Sequence, residues 1–127
     1  MGFQTVKQYF SKYCETSDHH VDPFLKTHYY KTSKANAMKA IEEVITELPG
    51  HTVTSISHDR GELSLQITSP QKAFVVISVI SVRPIETAID FSVSYEGLFN
   101  LGYSRNVVIR LYQNLDQKLV RFGNGKA

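Results

Sequence analysis

From Ala73 to Arg83 the chain reads AFVVISVISVR, rich in Val and Ile and apolar at both alternating sets of positions. A strand that is apolar on both faces is a central strand with cover on both sides. This stretch therefore sets a demand on everything else in the chain: a sheet must form around it, and two layers must close over it.

The flanking sequence supplies the sheet. His51 to His58 reads as a strand, Asp59-Arg60-Gly61 as a turn, and Glu62 to Thr68 as a strand with Leu63, Leu65 and Ile67 on one face. After Arg83-Pro84-Ile85-Glu86 turns the chain, Thr87 to Tyr95 sets Ile89, Phe91, Val93 and Tyr95 against Ala88, Asp90, Ser92 and Ser94. Leu25 to Lys31 (LKTHYYK) is a short strand suited by its aromatic residues to a pleated surface.

Two helices are expected. Ala37, Met38, Ile41, Val44, Ile45 and Leu48 recur at helical spacing from Lys34 to Leu48, with Thr32 or Ser33 as N-cap and Pro49-Gly50 as the stop. Ser104 to about Arg121 carries Val107, Val108, Leu111, Tyr112, Leu115 and Leu119 in the same rhythm before Gly123. The order β-α-β-β-β-β-α implies an α+β fold, an antiparallel sheet with both helices on one face.

A chain of 127 residues suits one domain, expected over 25–122. Residues 1–24 read as an N-terminal amphipathic segment and linker, and 123–127 as a disordered tail. The lone Cys14 forms no internal disulfide, and MGFQTVKQYFSKYCE lacks the apolar core of a secretory signal, so a cytoplasmic protein is expected. No stretch is long and apolar enough to span a bilayer. A net charge of +2 with 20% charged residues of both signs gives no nucleic-acid or membrane footprint.

With both helices on one face, the strand 73–83 leaves an apolar row on the other: either Phe74, Val76, Ile80 and Val82, or Val75, Ile77 and Val79. Such a row marks a contact surface. Its cover is the segment Gly2 to Cys14, with Phe3, Val6, Phe10 and Tyr13 near helical spacing, or else a second copy, a protein partner or a hydrophobic ligand. Val76, Ile77 and Ile80 are the candidate interface residues.

Motifs for catalysis are absent: no Walker loop, no G-x-S-x-G, no dinucleotide fingerprint and no H-E-x-x-H. No catalytic residue, metal ligand or cofactor is therefore assigned. Adjacent His19 and His20 point to opposite sides of an extended chain, so Ser17 to Pro23 reads as a solvated linker. His28, His51 and His58 are scattered and read as surface or core residues, and Cys14 as packed. In SYEGLFNLGYSRN (94–106) the helix N-terminus, with Ser104 and Arg105, offers an anion site bounded by Tyr95 and Tyr103. Its plainer reading is a joint, in which Gly102 permits a tight turn, Ser104 caps the helix, and Leu98, Phe99 and Leu101 plug the core.

In the same stretch Asp90, Ser94, Gly97 and Gly102 fall where a family of small, uncharacterised bacterial domains carries an R-S-x-S-R-x-G-x-x-D-x-G-x-N-x-x-R-I signature. Asn100 and Ser104 replace its Asp and Asn, and Ser92, Tyr95 and Val107 stand where it has arginines. The whole chain resembles short cytosolic proteins of Bacillus-type bacteria, and its element order is similar to one repeat of the TATA-binding-protein-like fold and, more loosely, to helix-grip domains. The resemblance implies fold and compartment, not an activity. The expectation is a non-catalytic interaction module, a homodimer or one half of a protein pair, using the second sheet face. The alternative is a small apolar or anionic ligand at 95–105.

Overall fold

Ser33 accepts a hydrogen bond from the Asn36 amide at 3.1 Å and so starts α1 (Lys34–Glu47), as the capping chemistry requires. The computed structural model describes residues 13–69, 71–97 and 102–123. Its strands are β1 (Tyr13–Glu15), β2 (His28–Tyr30), β3 (His51–Ser57), β4 (Glu62–Ile67), β5 (Ala73–Arg83) and β6 (Glu86–Tyr95), and α2 spans Tyr103–Lys118. The expected β-α-β-β-β-β-α order is present, preceded by β1.

The sheet is antiparallel, with β3, β4, β5 and β6 a meander in chain order. On the far edge of β6, β1 pairs with Ser92 to Ser94 and β2 with Thr87 to Ile89. These two short strands run in line and form one edge strand with an excursion, residues 17–27, inserted opposite Asp90. The Ser17 amide donates to the Leu25 carbonyl and the Thr27 amide to the Ser17 carbonyl, which closes the base of the excursion. Beyond β2, the Lys31 and Phe122 amides bond the Val120 and Tyr29 carbonyls, so the chain after α2 covers that edge.

The helices pack on one face, against Leu63, Leu65, Ile67, Val75, Ile77, Val79, Ile89, Phe91 and Val93. Burial of these aliphatic and aromatic side chains, at about 1.5–3 kcal/mol each, is the main stabilising term. Within β5 the alternation resolves in favour of Val75, Ile77 and Val79 as core. Ile77 is 1% exposed and thus does not belong to the open-face row in which it was expected as an interface residue.

Several details differ from expectation: β2 spans only His28–Tyr30 rather than 25–31, and α2 ends at Lys118 rather than near Arg121. Helix α2 begins at Tyr103 with Gly102 in the left-handed region (φ 78°) at the cap position, where the absence of a Cβ permits the turn. Ser104 is therefore inside the first turn, fully buried, rather than the N-cap. The 17–27 stretch is not a plain solvated linker, since Asp22 is 1% exposed and caps a 3-10 turn (Pro23–Leu25) whose Leu25 joins the core. The amphipathic segment's residues 1–12, the core plug 98–101 and tail residues 124–127 lie outside the described residues.

Candidate functional site

The excursion from the edge strand is held at both ends by carboxylates. Asp90, opposite the gap between β1 and β2, accepts 2.6 Å hydrogen bonds on Oδ1 from the hydroxyls of Thr16 and Thr27. At the tip, Asp22 accepts from the Phe24 amide at 3.0 Å and from Arg105 Nε of α2 at 2.6 Å, with Arg105 Nη2 donating to Oδ1 at 3.3 Å. Burial opposes the charge on Asp22. Hydrogen bonds from Arg105 and the Phe24 amide outweigh it and hold the carboxyl below its usual range. The same pairing raises the Arg105 pKa.

This ion pair bears on the residues expected as a ligand site. Tyr95, Tyr103, Ser104 and Arg105 do gather at the strand–helix junction, with the rings of Tyr95 and Tyr103 5.2 Å apart. The polar groups of Tyr103 and Arg105 are engaged, however. Tyr103 Oη donates to the Gln71 carbonyl at 2.9 Å, Arg105 is spent on Asp22, and Ser104 is buried. Tyr95 lies so close over Gly97 that a Cβ there would collide with its phenol ring, and Gly102 adopts a positive φ of 78°.

The face away from the helices is different in kind. On β5 it carries Phe74, Val76, Ser78, Ile80 and Val82, flanked by Glu62, Ser64 and Gln66 of β4 and by Ala88, Asp90, Ser92 and Ser94 of β6. Ser64 shares its hydroxyl with Thr54 at 2.7 Å and Ser55 at 2.6 Å. Toward the β5–β6 turn the apolar row opens to solvent: Ile80 is 53% exposed, Val82 48% and Ile85 57%. The face thus has an apolar row, broken by Ser78, between flanks of mixed polarity.

Sequence reasoning missed a third cluster. His28 and Tyr30, two apart on β2, share one side of the strand and meet Asp116 near the end of α2. Tyr30 Oη donates to Asp116 Oδ1 at 2.6 Å, and His28 Nδ1 lies 3.1 Å from Tyr30 Oη and 3.3 Å from Asp116 Oδ1. The His28 ring stacks on Tyr112 at 3.5 Å, nearly parallel at 9°. Tyr112 in turn donates to the Ile89 carbonyl at 2.6 Å and takes the edge of Phe91. Burial works against the Asp116 charge, but the His28 and Tyr30 hydrogen bonds, with Arg121 nearby, hold its carboxyl low. Burial and that carboxylate push the Tyr30 phenol well above its usual range. On the opposite side of β2, Tyr29 donates to Asp18 at 2.5 Å, and this bond, followed by burial, pushes its phenol up to about 12. The sequence signal was the alternation H-x-Y on β2 with Y-x-x-x-D on α2, two weak local patterns that only the fold joins.

Among the described residues no group of three or more His, Cys, Asp or Glu is placed to hold a metal ion, and no helix is long and apolar enough to cross a membrane. No protein-family model and no curated protein matches the sequence. A Thermobifida fusca protein solved by solution NMR aligns with 78% of this chain and 83% of its own, at TM-score 0.47 and 8% identity.

Proposed function

We propose that this domain is a non-catalytic interaction module that pairs with a second copy of itself through the open sheet face. The observation that carries the reading is the apolar row running to Ile80 and Val82, which stands exposed on the side away from both helices. A row of that kind on a monomer's surface marks a contact. The flanks favour a like copy over an oppositely charged partner. They carry Ser64, Ser92 and Ser94 beside Gln66 and Ala88, with Glu62 at one margin and Asp90 already bonded by two threonines, so two copies meet without a wall of like charge. Two-fold pairs bring one patch against itself, the commonest way in which soluble chains assemble.

The module reading also suits a protein that works inside the cell with its lone cysteine buried. A nucleic-acid role is not favoured, because the described residues that flank the row on this face include Glu62, Asp90 and serines rather than basic side chains. A small ligand at 95–105 is the second reading, and it would have to displace Asp22 from Arg105 and the Gln71 carbonyl from Tyr103. Replacement of Ile80 by Lys tests the first. The Ile80→Lys variant should keep the wild-type circular dichroism and thermal midpoint at low concentration and lose self-association. Self-association unchanged in this variant would reject the sheet-face dimer.

A further inference from the structure

The excursion and α2 border a half-open cavity of about 240 Å³ beside the His28 cluster. Pro23, Phe24 and Ile109 form its apolar walls, and His28, Tyr112 and Asp116 its polar side. On α2 the lining residues Ile109, Tyr112 and Asp116 recur at intervals of three and four, so one stripe of the helix is given over to this space. Two features there are not used up by their packing.

The first is Phe24, a large aromatic residue 58% exposed at the cavity margin. It is held in place from behind, by the Asp22 cap of its 3-10 turn and by the Arg105 guanidinium 5.2 Å from its ring centre. The second is the free nitrogen of His28. Its Nδ1 faces Asp116 and Tyr30, and a carboxylate at that nitrogen favours the tautomer with the proton on Nδ1. Nε2 is then a bare acceptor, and it has no partner among the described residues. The ring does not swing away, because Tyr112 is stacked flat against it.

We propose that this cavity binds a small planar ring molecule bearing one N–H or O–H group, which donates to His28 Nε2 while the ring lies against Phe24 and Ile109. Size sets the class, since the volume falls below the roughly 300–1,000 Å³ of sites for larger ligands. The donor requirement follows from the tautomer, and the flat shape from the aromatic and aliphatic walls. The site is independent of the open sheet face, from which the sheet itself separates it.

Indole and 1-methylindole form the test pair, because they share a ring system and differ in the single N–H. Each is titrated into the full-length 15N-labelled chain while amide shifts are followed. Indole should move the amides of residues 24–28 and 109–116 saturably, with 1-methylindole at least tenfold weaker. In the variant His28→Phe, which keeps a ring to stack on Tyr112, indole should fall to the affinity of 1-methylindole. Equal affinities of the two compounds for the wild-type chain would overturn the proposal, as would the absence of shifts in those segments. The wild-type comparison decides the matter even if His28→Phe does not fold.

Discussion

Asp22 is the residue on which the local architecture depends most. Its carboxylate caps the 3-10 turn and grips Arg105 across 83 residues of sequence, at 1% exposure. Removing one member of a buried pair strands the other. Asp22→Ala should therefore cost about 2–4 kcal/mol in denaturant unfolding, the lower part of the range reflecting the partial exposure of Arg105. A loss no larger than that of a typical surface substitution would contradict the pairing. The acid limb of stability follows from the same residue. Asp22 and Asp116 both titrate below the unfolded value of 3.8. Their contribution is thus complete above that pH and is lost as pH falls through the lower folded values. The thermal midpoint should drop steeply below pH 3.8, and Asp22→Asn should flatten that drop; parallel curves for the two proteins would be the contrary result. None of this was legible in sequence, where Asp22 sat in a polar run resembling a linker. Its burial depends on a partner that no local pattern reveals. The His28 cluster escaped for the same reason, Tyr30 and Asp116 being 86 residues apart.

Elements were far more legible, because their signals are local. Helix α1 starts at Ser33, one of the two caps expected, and β5 has the expected bounds Ala73 and Arg83. What periodicity left open in β5 was its facing. Both alternating sets are apolar, so only the packing of the helices decides that Ile77 lies inside and Val76 on the open side. That assignment has an energetic signature. Ile77→Ala should cost about 2–4 kcal/mol as a core truncation. Val76→Ala should cost under about 1.5 kcal/mol in the monomer, because its methyl groups are only half buried. Chemical denaturation of the two variants at low concentration checks the order, and the reverse order would mean that the strand's faces are exchanged. The start of α2 was read one residue late because a buried Ser104 and a capping Ser104 are indistinguishable in sequence. Strand β1 was missed because a three-residue edge strand is defined by its partner, β6, rather than by any periodicity of its own.

At the scale of the whole molecule the sheet divides the chain's work. One face, under both helices, is committed to stability. The excursion at its edge builds the His28 cavity on that same side, wedged against α2. The other face carries the apolar row, and under the proposed reading the demand that β5 makes for cover on both sides would be met on this side by a second copy. The most direct test is sedimentation equilibrium of the untagged, full-length protein across a wide range of concentration. A mass rising to twice the 14.4 kDa of one chain is the expected result, and a mass fixed at 14.4 kDa at every concentration would contradict the account.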